Sequence, residues 1–439
     1  MSFLRLTMPP VEVDGRRRSS TILDRVWLSA LMLGLVLRIG LVVFAGNQLR
    51  APWSGGGDAG VYVLLGHNLL EGKGLTYALQ PTALRAPGYP LLLAGLMGLF
   101  PGNYILVVRS IQFALGLGTV LLCSRATRRT FGPQAGRWTF AISLLFPTLI
   151  FVTGEVLTEG IAAFFAALFL YLLMEEIRTP RLSNLAAMGV VISVAALFRF
   201  NMAALGLVGL WIACAAKESR PRWQRVLVLC LCAGAVISPW LIRNQIAFHR
   251  KVLYSTLSGH DAVEGVLTPQ GRAFPGDNQK VAAAEGWVLG EVETNASSRL
   301  KLPSEAVLNE EAWKVARALW RERNVRLFPL ALSKCSVFWF STDQMFWTQA
   351  FPPRQRLFRF AGVLIYWALL GLAFVGWFRM RRTALLLAST VLFYAALMTL
   401  LHLPFPMLSR LRIPVMDPLL AILGGVVCGS FQVPLRTSS

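Results

Sequence analysis

Long apolar runs separated by short basic clusters set the pattern of this chain. A membrane-crossing helix needs about 20 mainly apolar residues, and fewer when it is packed inside a bundle. Runs that qualify lie at 26–46, 104–124, 135–153, 159–174, 183–199, 201–216, 226–242, 358–378, 383–403 and 413–430. The stretch 89–100 is apolar but short, and counting it as a crossing would exchange the sides of everything after it. Charge decides the matter. Without that crossing, and with the N-terminus inside, one side collects Arg16, Arg17, Arg18 and Arg25, then Arg125, Arg128, Arg129 and Arg137. It goes on to collect Arg178 and Arg181, then Lys217, Arg220, Arg222 and Arg225, then Arg379, Arg381 and Arg382. That is the positive-inside pattern.

The pattern predicts an all-α polytopic membrane protein with about ten transmembrane helices, interfacial helices and one large extracytoplasmic loop. The expected organisation is a cytoplasmic tail at 1–25, an N-terminal transmembrane module at 26–242 with a first outer loop at 47–103, an outer loop at 243–357, C-terminal transmembrane helices at 358–431 and a cytoplasmic tail at 432–439. An amphipathic helix is expected at about 304–323, followed by an aromatic run at the interface. No small-residue cleavage site follows the first apolar run, so that run is expected to remain as an anchor.

Composition agrees with the pattern. Of the 439 residues 55% are hydrophobic and 15% charged, too apolar for a soluble protein of this length. The net charge of +21 does not point to nucleic acid, because the bases are scattered between apolar runs and do not gather in one basic domain. Five of the six cysteines (Cys123, Cys214, Cys230, Cys232 and Cys428) fall in or beside apolar runs, Cys335 in the polar segment, and no disulfide framework or metal spacing emerges. His67, His249, His260 and His402 show no metal-ligand spacing among themselves and read as ordinary polar contacts.

The most informative stretch is Gly55 to Pro90, GGGDAGVYVLLGHNLLEGKGLTYALQPTALRAPGYP. It opens with a lone acid, Asp58, at the head of a run whose apolar positions Val61, Leu64, Leu65 and Leu69 recur at helical spacing. Gly72 and Gly74 are expected to end that helix, and the prolines after Arg85 stiffen the return.

An acid after the first span, then Tyr62, Asn68, Gly72, Gly74 and the string Arg85, Pro87, Gly88, Tyr89, Pro90 resemble the C-type glycosyltransferases. Within them the likeness is to bacterial relatives of protein O-mannosyltransferases and of the lipid A aminoarabinose transferase. Ala59 stands where many relatives have Glu or Ser, so no role passes to that position. The string PTLIFVTGEVLTEG resembles the family's second acidic motif and points to Glu159; Glu155, a turn earlier, reads as a hydrated loop acid. SPWLIRN at 238–244 resembles the string with which relatives leave the membrane and adds Arg243; SRLRIP at 409–414 resembles the Arg-x-x-x-Pro opening of their last span and adds Arg410 and Arg412. Arg199 stands where relatives have Arg-Pro, here followed by Phe200, and snorkelling to the headgroups explains it equally well.

The resemblance implies catalytic carboxylates at Asp58 and Glu159, donor-phosphate binding by Arg85, Arg199, Arg243, Arg410 and Arg412, and a substrate loop containing Tyr62, Asn68 and Tyr89. Taken alone, Asp58 is as well explained as a helix N-cap. The implied activity is sugar transfer from a polyprenyl-phosphate donor to an acceptor hydroxyl, with inversion, at the outer face of a bacterial plasma membrane. Some relatives use a divalent cation, although no spacing here identifies its ligands. The expected partners are the lipid-linked donor, a glycan, lipid or protein acceptor, and the bilayer. The rival from another class is a lipid or sugar transporter or flippase. Such proteins commonly show inverted repeats, mid-membrane charges and short loops; this chain shows no repeat, and its outer loop is long.

Overall fold

Prolines and glycines decide where the apolar runs divide into helices. The computed structural model describes residues 20–44, 58–77, 80–216, 220–267, 304–322, 324–341, 356–406 and 409–430. Residues 1–19 of the expected tail at 1–25, the expected tail at 432–439, and the loop parts at 47–57, 268–303 and 342–355 lie outside the described residues. The first half runs α1 (Ser20–Phe44), α2 (Asp58–Leu70), β1 (Thr76–Tyr77), β2 (Gln80–Pro81), α3 (Gly88–Leu99), α4 (Tyr104–Phe131), α5 (Pro133–Leu145), α6 (Pro147–Phe151) and α7 (Glu159–Arg178). Then come α8 (Leu182–Phe198), a 3-10 turn (Phe200–Ala204), α9 (Leu205–Ala215), α10 (Arg222–Phe248) and α11 (Ser258–Leu267). The remainder is α12 (Glu305–Glu322), α13 (Asn324–Phe340), α14 (Arg356–Thr383), α15 (Leu385–His402), a 3-10 turn (Ser409–Leu411) and α16 (Ile413–Ser430).

Five helical segments among the described residues are long and apolar enough to cross a membrane: Tyr104–Phe131, Glu159–Arg178, Arg222–Phe248, Phe360–Arg381 and Leu385–His402. This corrects the expectation of about ten. The run at 135–153 is broken because Phe146 is extended and Pro147 cannot donate to a preceding turn, leaving α5 and the short α6. The run at 201–216 spends its start on the 3-10 turn, which leaves the 11 residues of α9. Within α1, α8 and α16, the apolar segments Leu28–Val43, Leu182–Phe198 and Ile413–Gly429 are each 10–17 residues long among the described residues. The protein is therefore a polytopic membrane protein built of helices, with five of spanning length among the described residues, where one small sheet pairs Thr76 with Pro81 and Tyr77 with Gln80.

Helix α7 packs against α4, α8 and α16. Its buried Ala162, Ala163, Ala166 and Ala167 let the neighbouring backbones approach, the usual way helices associate where lipid supplies no hydrophobic drive. Two buried guanidinium groups meet carbonyls at helix ends. Pro147 leaves the Ser143 carbonyl without its helical donor, and the Arg38 guanidinium from α1 donates to the carbonyls of Ser143 and Leu144. Arg225 pairs with Glu176 at 2.8 Å and donates to the Ala216 carbonyl, while Glu176 accepts from the Arg181 N–H at the start of α8. Inside α10, Pro239 deprives the Ala235 carbonyl of a donor, and the Ser238 hydroxyl takes it up at 3.2 Å. On α1 the exposed side is Leu28, Met32, Leu33, Val36, Ile39 and Val43, a face suited to lipid.

Candidate active site

The N-terminal residue of α2 is Asp58, and its two carboxylate oxygens are each engaged by a different guanidinium. Arg85 Nη2 lies 2.6 Å from Oδ1 and Arg410 Nη2 lies 2.5 Å from Oδ2. Arg85 arrives from the turn before α3, where Pro87 and Gly88 start a new helix; Arg410 arrives from the 3-10 turn before α16. Helices α2 and α3 are held together at Gly66, where a Cβ would lie 3.0 Å from the Leu93 Cβ and 3.4 Å from the Pro90 carbonyl oxygen. This contact turns Tyr62, Val63, Leu65 and Gly66 inward, so the buried face of α2 is not the one expected from Val61, Leu64, Leu65 and Leu69. The helix ends as expected, at Gly72 and Gly74 with φ of 76° and 74°, a conformation that costs glycine little.

A second acid–arginine pair stands at the same end of the bundle. Glu159 begins α7 and Arg199 ends α8; Arg199 Nη1 lies 3.0 Å from Glu159 Oε1 and donates to the Thr158 hydroxyl at 3.0 Å. Arg199 acts electrostatically on Asp58, so the two pairs form one field. Tyr62 packs edge-on against Tyr89 with ring centres 5.1 Å apart, and the Arg85 guanidinium lies 6.0 Å from the Tyr62 ring centre. Tyr89 donates to Gln112 Oε1 at 3.0 Å, and the Gln112 amide donates in turn to the Glu155 carbonyl at 2.5 Å. Arg109 holds the same loop by donating to the Gly154 carbonyl at 2.9 Å.

Electrostatics separate the acids. Burial pushes the Asp58 carboxyl up, but Arg85 and Arg410 outweigh it and hold the group below the usual carboxylate range. Glu155 goes the other way: burial raises it, Arg109 opposes this, and Glu159 adds to it. The Glu155 carboxylate makes no hydrogen bond or ion pair among the described residues. Three buried polar atoms of this cluster also lack a hydrogen-bond partner among the described residues: Arg85 Nε, Arg410 Nε and Glu159 Oε2. Such buried atoms suit a polar ligand.

The other expected site residues stand apart from this cluster. Asn68 donates to the Thr76 carbonyl at 2.8 Å and closes the turn after α2. Arg243 donates to the carbonyls of Thr82 and Leu75 at 2.8 and 3.0 Å and faces Trp240 and Phe248. Arg412 is fully buried beside Asp417, lies over the Tyr366 ring and donates to the Phe338 carbonyl at the end of α13. Two residues apart, Arg410 and Arg412 thus face different surroundings.

A metal set lies elsewhere. His260, Asp261 and Glu264 on α11 each offer one ligand atom, and the three atoms lie within 4.8 Å of one another, so this half-buried set can hold a divalent cation. Comparing histidines only with one another leaves it unseen. At Asp58 both oxygens already face guanidinium groups, a poor fit for a cation.

The sequence profile of the dolichyl-phosphate-mannose-protein mannosyltransferase family matches residues 84–242, which include Arg85, Tyr89, Glu159 and Arg199 but not Asp58, Arg243 or Arg410. No curated protein matches the chain in sequence. The archaeal oligosaccharyltransferase AglB from Archaeoglobus fulgidus, solved with an inhibitory peptide and a dolichol-phosphate, matches 93% of this chain with a TM-score of 0.51 and 13% identity. The chain spans about half of that protein, 50% of its length. ArnT from Cupriavidus metallidurans in the apo state matches over 94% of this chain and 78% of its own, with a TM-score of 0.41 and 16% identity. The likeness to AglB is one of fold. It defines the class as a polytopic membrane protein whose fold resembles that of AglB.

Proposed function

We propose that this protein transfers a sugar from a polyprenyl-phosphate donor to an acceptor hydroxyl at the extracytoplasmic surface of a bacterial plasma membrane, inverting the anomeric centre. The observation that carries this reading is the Asp58 carboxylate held between Arg85 and Arg410, with the Glu159–Arg199 pair at the same end of the bundle. A lipid-linked donor presents its phosphate at headgroup level, where planar guanidinium forks bind it through two N–H groups at once.

The chemistry then follows from charge. Arg85, Arg199 and Arg410 bind the donor phosphate, and drawing Arg85 and Arg410 toward it releases the Asp58 oxygens. Asp58 takes the proton of the acceptor hydroxyl as its oxygen bonds to the anomeric carbon. The bond from that carbon to the phosphate oxygen breaks, the electron pair stays on the polyprenyl phosphate, and the arginines neutralise it. Glu159 sets Arg199 and stands second in line as proton acceptor. Arg243 and Arg412 act on the donor through the segments they hold, and Tyr62, Asn68 and Tyr89 shape the loop.

The test is purified protein with a panel of radiolabelled polyprenyl-phosphate sugars and native membranes as acceptor. Label should leave the lipid for a membrane acceptor. Label that crosses a sealed vesicle bilayer still attached to its lipid would replace this reading with transport.

A further inference from the structure

Arg85 reaches Asp58 from a segment with little regular structure, so something else must fix it. The backbone of the three residues before Arg85 can be accounted for group by group. The Thr82 carbonyl accepts from Arg243 at 2.8 Å, and the Ala83 N–H donates to Glu305 Oε2 at 3.2 Å. The Ala83 carbonyl accepts from the Thr256 N–H at 3.2 Å, the Leu84 N–H donates to the Thr82 hydroxyl at 3.1 Å, and the Leu84 carbonyl accepts from the Ser255 hydroxyl at 3.5 Å. Thr82 and Ala83 are buried. One atom gathers this network. Besides the Ala83 N–H, Glu305 Oε2 accepts from the Thr82 hydroxyl at 2.9 Å and the Thr256 hydroxyl at 2.7 Å, so a single oxygen on the first turn of α12 ties residues 82–83 to 256.

We infer that Glu305 is a positioning residue for donor binding: it locks residues 82–84 and thereby aims the Arg85 guanidinium at the donor phosphate. The inference rests on the reading of Arg85 as a phosphate ligand. It gives the helix α12 a role that its sequence, an acid in the first turn of an amphipathic helix, does not announce. The chemistry needs an acceptor at one point and not a charge, because all three donors converge on the same oxygen. An amide oxygen in that place meets the same three donors; a methyl group meets none.

Three variants test this in the full-length protein. Glu305→Gln should keep donor KM within about threefold of wild type, whereas Glu305→Ala should raise it on the order of tenfold or more, since a small misplacement of a binding group is costly. The turnover number at saturating donor should change much less than KM, the mark of lost uniform binding. In an Arg85→Ala background, Glu305→Ala should add little, because its effect runs through Arg85. If the two effects add in full, or if Glu305→Gln falls as far as Glu305→Ala, the inference is overturned.

Should Glu305→Ala fail to fold, Thr256→Val removes one of the three donors and should raise KM in the same direction by a smaller factor; an unchanged KM would also overturn the inference. Binding of a short-chain polyprenyl phosphate gives a readout independent of transfer. A wild-type protein that binds and transfers nothing defeats the proposed function, whereas a wild type that binds and transfers beside a Glu305→Ala variant equal to it defeats only the role of Glu305.

Discussion

Asp58 and Arg410 are separated by 352 positions in the chain and meet at 2.5 Å. The contact joins the first residue of α2 to the turn before the last described helix, so the site forms only when the two ends of the fold come together. It also places Asp58 in competition with any anionic ligand of Arg410. The groups are part-exposed, so the pair contributes at most about 1 kcal/mol to stability.

Asp58→Asn should therefore be expressed and inserted normally, since Asn caps a helix start about as well as Asp. Transfer should fall by at least roughly a hundredfold, as on removing a general base. Polyprenyl phosphate should bind no more weakly than to wild type, because Arg85 and Arg410 are relieved of a competing carboxylate. Binding and single-turnover transfer measured on the same preparation check both. Near-normal turnover would leave Asp58 as a cap and move the proton acceptor to Glu159.

The pH dependence of donor binding should report Glu155. Asp58 is depressed below its ordinary 3.8 by Arg85 and Arg410 against its own burial, so it stays ionised at higher pH, and the stability it lends is lost only as pH falls below that value. Glu155 is raised above its ordinary 4.5 by burial, so the folded protein binds more protons there and stability declines as pH rises through the raised value. Ionising Glu155 also adds negative charge near Arg410. A sugar-phosphodiester donor carries one fixed charge, and its affinity should weaken as pH rises above 4.5. In Glu155→Gln that slope should flatten; an equal slope in both proteins would remove Glu155 from the site.

The buried Glu176–Arg225 pair lies at the junction of α7, α8, α9 and α10 and takes no part in the proposed chemistry. Arg225→Met should destabilise the protein by about 3–5 kcal/mol, the usual cost of stranding a buried charge. Adding Glu176→Leu should restore part of this, but not all, because the Arg181 N–H then loses its acceptor at 2.9 Å. Thermal unfolding in detergent measures both. Transfer per folded molecule should be unchanged in each.

What could be read from the sequence was the set of charges placed beside apolar runs. Asp58, Arg85, Glu159, Arg199 and Arg410 each sit where a hydrophobic pattern starts or stops, and the structure gathers them at one end of the bundle. Direction was harder. Arg410 and Arg412 are alike in sequence, and only the 3-10 turn sends one to Asp58 and the other to Asp417. The inward face of α2 is set by the close approach of Gly66 to α3, a tertiary contact that apolar periodicity does not encode. The break at Pro147 was visible as a proline, yet the Ser143 and Leu144 carbonyls before it are met by Arg38 from α1, more than a hundred positions away. Spanning length fails as a count because such breaks turn one apolar run into two short helices.

Arg243 separates a direct ligand from a clamp. The resemblance assigns it to the donor phosphate, whereas its Nη1 and Nη2 donate to the carbonyls of Thr82 and Leu75, which bracket the hairpin. A lysine ammonium lacks the fork needed to span both carbonyls. Arg243→Lys should thus cost about 1–3 kcal/mol of stability through the buried acceptors left unmet, and should raise donor KM. A direct ligand would raise KM too, so the single variant does not decide. Combination with Glu305→Ala does. Both residues hold the Thr82–Leu84 segment, so as clamps their effects on KM should fall well short of additive. Full additivity would mean that Arg243 meets the phosphate independently, and wild-type kinetics in Arg243→Lys would leave it only the task of anchoring α10.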